Sequence, residues 1–243
     1  MNKNNIISLT VMTLLATAVQ AVSAEQQPGT GCIEGSQLSV LNRNYYYNSD
    51  NHSGGKDGRE WGHSILSAFT SGYTSGTVGF GLDAHAYLAL KLDSGRGRNR
   101  SDMFPMKSNG ASRDESTSAG AAVKMRISRS ELKYGDLRPY NPVFALADTR
   151  MFPATATGFM FTSSEIDDLY IDAGHFTSGK DYNQTHGDGD FFAGYAGVKG
   201  GNVDYLGGSY GIDDNTSVTL YTSRYEDLWR QHYLNGNYTL PLG

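Results

Sequence analysis

Thr77 to Leu92 reads TVGFGLDAHAYLALKL, and its alternation decides the fold. Val78, Phe80, Leu82, Ala84, Ala86, Leu88, Leu90 and Leu92 are all apolar, whereas Thr77, Gly79, Gly81, Asp83, His85, Tyr87, Ala89 and Lys91 are small or polar. Successive side chains of a strand point to opposite faces, so a period of two predicts one long strand with a greasy face and a wet face. Its length is about three times that of a common soluble strand. Only ~9–11 tilted residues are needed to cross a bilayer. Length and alternation together predict a transmembrane β-barrel strand, with lipid outside and water inside.

The first 24 residues do not belong to that pattern. Lys3 supplies a short positive start, Ile6 to Val19 is a short apolar run, and Val22-Ser23-Ala24 fits a small-residue cleavage site. This predicts a signal peptide over 1–24, with the mature chain starting near Glu25 and exported to the outer membrane. The apolar run is short and rich in Thr and Ala for a membrane helix. No later segment has 18 consecutive apolar residues, which excludes further helical spans but not a barrel, because only half of each barrel strand is apolar. Gly (30 residues) and Tyr (16) are abundant, and the single Cys32 has no intrachain partner for a disulfide framework. The net charge of −5 argues against a nucleic-acid partner, while leaving room for a locally positive pore.

Alternating segments recur along the chain. They predict strands near Leu38–Tyr47, Glu60–Thr70, Thr77–Leu92, Ala119–Ser128, Glu131–Asp136, Gly158–Ser164, Leu169–Phe176, Phe191–Val198, Val203–Ile212, Thr216–Tyr225 and Gln231–Leu240, about eleven in all. Turn-forming Ser71-Gly72 to Ser75-Gly76 and Asp213-Asp214-Asn215 separate close neighbours. Long polar or Pro-punctuated loops fall at about 93–118 and 138–157. In the fourth strand, Ala119, Ala121, Val123, Met125 and Ile127 oppose Gly120, Ala122, Lys124, Arg126 and Ser128. A cation on the lipid face at mid-membrane costs ~2–4 kcal/mol, so Lys124 and Arg126 belong in a wet lumen. Lys133 and Lys91 are further candidate lumen charges. The plainer alternative is that such cations pair with acids such as Glu131 or Asp83. Tyr45, Tyr46, Tyr47, Trp61, Tyr73, Tyr134, Tyr233 and Tyr238 sit near strand ends, where they could form aromatic girdles or line the lumen.

Other motifs read as structure. Gly79-Phe80-Gly81 lies inside a strand rather than before a helix, so it is no dinucleotide fingerprint. His175 and Asp172 meet no serine in a nucleophile elbow, which argues against hydrolysis. His186-Gly-Asp188-Gly-Asp190 reads as a loop, and the six His residues show no zinc spacing. No enzyme activity, cofactor or metal is expected.

The blocks GTVGFGLDAHAYLALKLDSGRGR, AAVKMRISRSELKYGDLRP, TRMFPATATGF and YEDLWRQHYLNGNYTLPL resemble, in the same order, those of the OprD-like substrate-specific outer-membrane porins of Gram-negative bacteria. The resemblance runs from about Gly31 to Gly243. It implies an all-β, antiparallel barrel of about 18 strands, often packed as trimers, with an inward-folding third loop at about 138–157. Here the chain is expected to supply roughly the first half, an incomplete barrel that does not close alone. The resemblance also implies diffusion of small water-soluble anionic or zwitterionic solutes: amino acids, organic acids and carbapenem-type antibiotics. It places a constriction arginine at Arg150 and a basic-ladder arginine at Arg43. The alternative for Arg150 is a loop-bracing role. With Lys124, Arg126, Lys133 and Asp83, these make the expected pore wall, one that concentrates anions electrostatically. A non-transporting barrel or surface-binding protein is the competing function.

Overall fold

The computed structural model of the protein describes residues 31–50, 52, 57–93, 101–193 and 197–240. The predicted signal peptide lies outside them. Ten strands form one antiparallel sheet: β1 (Gln37–Ser49), β2 (Gly58–Thr70), β3 (Val78–Lys91), β4 (Glu115–Ile127), β5 (Ser130–Leu137), β8 (Thr155–Ser163), β9 (Leu169–Lys180), β12 (Val203–Asp213), β13 (Thr216–Tyr225) and β14 (Trp229–Tyr238). Each pairs with its neighbour in chain order, and β1 and β14 are the two edges. Two small hairpins stand off this sheet, β6 (Tyr140–Asn141) with β7 (Phe144–Ala145) and β10 (Phe191–Ala193) with β11 (Val198–Gly200).

The alternation read from the sequence has the polarity of a membrane wall. On β3 and β4, Phe80 (55% exposed), Leu82 (44%), Leu90 (45%) and Val123 (58%) lie on the open face, while Tyr87 (6%), Ala89 (0%), Ala122 (2%) and Lys124 (4%) are covered. In water, an exposed apolar face forfeits about 25 cal/mol for every Å² left unburied; against lipid that cost vanishes, and a buried polar face becomes the wet interior.

Loops cover the inner face. Met103 and Phe104, from the segment between β3 and β4, and Met151 and Phe152, from the segment before β8, pack with Leu66, Tyr87 and Ala89 of the wall. Gly62 makes room beneath them, because a Cβ there would lie 2.7 Å from Phe104 Cζ. The β6–β7 hairpin sets Val143 and Phe144 against Phe176, Val203, Tyr205 and Tyr221. Both loops are therefore seated on the wall by apolar anchors.

Three details depart from the sequence reading. Phe191–Val198 is not a barrel strand but the start of the β10–β11 hairpin. Its Phe191 packs inward against the β6–β7 cluster, so its apolar character serves loop packing rather than lipid contact. β4 begins at Glu115 and β8 at Thr155, so both strands start earlier than predicted and the segments before them are correspondingly shorter. The aromatic residues divide between faces. Tyr46, Trp61, Tyr134 and Tyr238 are exposed outward, Tyr45 and Tyr47 pack under the loops, and Tyr233 packs against the second cluster.

Candidate pore constriction

The inner face of β3, β4 and β5 carries a compact charge cluster. Lys124 Nζ lies 2.6 Å from Asp83 Oδ1, and Lys133 Nζ lies 3.1 Å from both Asp83 Oδ2 and Glu131 Oε1. These strands place the residues side by side because Gly81 and Lys124, and Lys124 and Lys133, are direct cross-strand partners. One carboxylate thus bridges two ammonium groups. Arg126, on the same face, stacks its guanidinium 4.3 Å from the Tyr73 ring centre, and Lys124 Nζ approaches the same ring at 5.0 Å. Tyr73, a girdle candidate, is a cation platform here.

A second cluster was not legible in the sequence. Asp136 Oδ2 accepts from Lys180 Nζ at 2.6 Å and sits 3.7 Å from His85 Nε2. Gly135 has φ 140°, a conformation open to glycine. Next to it Asp136 also reaches inward and nests against Gly120, on the same side as the buried Leu137. Lys180 lies beyond the predicted end of its strand, and only the longer observed β9 brings it to the wall.

The third group surrounds the loop that ends in Thr149-Arg150-Met151-Phe152-Pro153. Arg43 Nη1 donates to Asp148 Oδ1 at 2.8 Å and to the Arg150 carbonyl at 2.5 Å. Arg138 Nη2 reaches the other Asp148 oxygen at 3.1 Å. Burial works to raise the Asp148 carboxyl, but hydrogen bonds and charge from Arg43 and Arg138 outweigh it and hold the group below the usual carboxylate range. Ser64 Oγ donates to the Met151 carbonyl at 3.1 Å. Arg150 itself donates Nε to the Ser101 carbonyl at 2.7 Å and Nη1 to the Thr149 carbonyl at 2.9 Å. Its guanidinium lies 5.6 Å from each of the Tyr47 and Tyr182 ring centres. Ser101 Oγ in turn donates to the buried Glu60 carboxylate, which Lys91 approaches at 3.8 Å. Arg150 is thus held from both loops at once.

Farther along the wall, Asp172 accepts from Tyr205 Oη at 2.9 Å, Asn141 Nδ2 at 3.2 Å and Tyr221 Oη at 3.5 Å. Tyr225 Oη donates to the Val143 carbonyl at 3.0 Å. These bonds fasten the β6–β7 hairpin to β9, β12 and β13. Among the described residues, no group of acids, His and Cys is arranged to hold a metal ion.

The predicted site residues therefore separate into two kinds. Arg43, Lys124 and Lys133 are engaged by carboxylates. Arg126 and Arg150 have none within ion-pair reach among the described residues and rest on aromatic rings instead.

The open apolar face, the wet inner face and the seated loops are the anatomy of an outer-membrane channel, and comparison with known proteins agrees. Residues 30–243 match the family model for the outer membrane porin, OprD family. The chain belongs to the OprD family of outer membrane porins. Porin D of Pseudomonas aeruginosa is 46% identical over 222 residues, which is 91% of this chain and 50% of that protein. The porin-like protein GalP of Pseudomonas putida is 31% identical over 96% of this chain and 58% of its own length. Among solved structures, Acinetobacter baumannii OccAB1 superposes with TM-score 0.81 at 30% identity, over 90% of this chain and 51% of that one. Pseudomonas aeruginosa OpdK, solved with vanillate, gives TM-score 0.81 at 33% identity over 88% and 55%. The chain spans about half the length of the curated relatives it matches. Porins are channels, not enzymes, so the His175 and Asp172 coincidence has no catalytic reading.

Proposed function

We propose that the full-length barrel passes small, water-soluble, carboxylate-bearing molecules across the outer membrane, after export by a signal peptide over residues 1–24. Amino acids, organic acids and carbapenem-type antibiotics fit this class. The observation that carries the reading is Arg150: a guanidinium fixed on the inner wall between two rings and two backbone carbonyls, with no carboxylate from the described chain. Such a group offers planar, charge-assisted donors to a passing carboxylate. Arg126 on Tyr73 is the second open cation, and Arg43, Lys124 and Lys133 set the field around it. The vanillate in the OpdK structure is an aromatic carboxylate, which supports the same solute class. Acids share the positive charge of Arg43, Lys124 and Lys133, which keeps the field around the two open cations moderate, and weak serial sites favour passage.

A second reading, a non-conducting barrel with a neutralised core, draws on the ion pairs of Lys124, Lys133, Lys180 and Arg43. Planar-bilayer recording and liposome uptake of small carboxylates by the full-length protein separate the two. The porin reading expects stepwise conductance and carboxylate uptake. Silence in both assays sinks it.

A further inference from the structure

On the outer face the apolar pattern breaks near the loop end of the wall, first at the Thr222 and His232 pair and then, one outward rung further, at a charged row. His175, Asp204, Arg224 and Arg230 are successive cross-strand partners on β9, β12, β13 and β14. Asp204, Arg224 and Arg230 share faces with the outward-pointing Leu206, Leu220 and Leu234, each more than half exposed, and His175 is the cross-strand partner of the exposed Phe159. His175 Nδ1 and Asp204 Oδ1 lie 2.6 Å apart, so this acid is taken. Arg224 and Arg230 then face each other directly. Both are exposed, and among the described residues neither has a carboxylate within ion-pair reach. Like charges in direct register repel, and an outward arginine is costly at mid-bilayer but nearly free at its edge.

The position of the rung meets that condition. From Arg224, β13 runs on through Thr222 and Leu220 to Thr216, roughly 20 Å along the membrane normal at ~3.4 Å per residue and ~40° of tilt. That distance is close to the height of an apolar band, ~25 Å. The rung therefore lies at one headgroup layer when Thr216 lies at the other. It is the end that carries the long segments 92–114, 138–154 and 181–202, with turns such as Ser128–Arg129 and Asp214–Asn215 at the opposite end. In this architecture long loops face the cell exterior.

We propose that Arg224 and Arg230 clasp a phosphate group of an outer-leaflet lipid, the phosphoester of lipopolysaccharide. Two guanidinium groups present forked donors to phosphate oxygens, and a phosphate between them replaces their repulsion by two attractions. The inference rests on the barrel fold and not on the solute that the pore takes, so the two readings fail separately.

The test uses the full-length protein, extracted in mild detergent, and the double variant Arg224→Gln with Arg230→Gln. Native mass spectrometry reads retention of added lipid A, either phosphorylated or enzymatically dephosphorylated. The wild-type protein should retain the phosphorylated form about tenfold better than the double variant, the equivalent of one charge-assisted contact. Dephosphorylated lipid should bind both alike. The wild-type comparison of the two lipids stands even when the variant fails to fold. Equal retention of the two lipids by the wild type overturns the proposal. So does a variant that keeps its lipid but loses its oligomer, since the face is then a contact between copies.

Discussion

Arg150 receives a hydrogen bond at its carbonyl from Arg43 and gives one from Nε to the Ser101 carbonyl, so its backbone is fixed by the wall and its side chain by the neighbouring loop. That makes lysine a poor substitute: an ammonium has no planar fork to hold one carbonyl while facing another group. Arg150→Lys should recover only part of what Arg150→Ala removes. Asp83 has the reverse role, since it neutralises both Lys124 and Lys133. Asp83→Asn should make the wall more cation-rich, shifting the reversal potential toward anions, and should lower the unfolding free energy read from a urea titration by about 1–3 kcal/mol. No gain in anion preference would remove Asp83 as the counter-charge. Asp148 adds a pH dependence. Its carboxyl is depressed by Arg43 and Arg138, so the bridge is whole above the unfolded value near ~3.9 and is lost as pH falls through the lower folded value. Conductance should hold from neutral pH to ~5 and change only below ~4, and Asp148→Asn should abolish that acid step.

Strands were legible because lipid on one side and water on the other impose a strict period of two, as Phe80, Leu82, Val123 and Lys124 show. The same rule misled at Phe191–Val198, where Phe191 packs a loop hairpin against the inner cluster. It missed Asp136, which reaches inward beside Gly135 (φ 140°) against the alternation, and it missed Lys180 because β9 runs four residues past the predicted end. Arg43 and Asp148 are 105 positions apart, so no local pattern could pair them; the loops' seats on the wall are invisible for the same reason. Gly62 tests those seats. Gly62→Val should overpack Phe104, costing about 1–3 kcal/mol, and release the 101–114 segment to limited proteolysis. Unchanged cleavage would show that Phe104 does not anchor it.

Among the described residues, ten strands run in chain order across one sheet, with β1 and β14 at its two edges. Unpaired backbone N–H and C=O groups are not tolerated in lipid, and the relatives are about twice as long as this chain. The chain over residues 25–243 alone should therefore migrate as unfolded protein in SDS without heating, while the full-length barrel runs as a compact, heat-modifiable band. A compact band from the shorter chain would mean that its edges find partners.

On the proposed function, inner-wall cations, with Arg150 foremost, select carboxylates, and this is read from the reversal potential of the full-length channel under a gradient of an organic-acid salt. The wild-type channel should prefer the carboxylate, and Arg150→Ala should lose most of that preference while still conducting. An unchanged reversal potential in Arg150→Ala would mean that Arg150 does not select the solute.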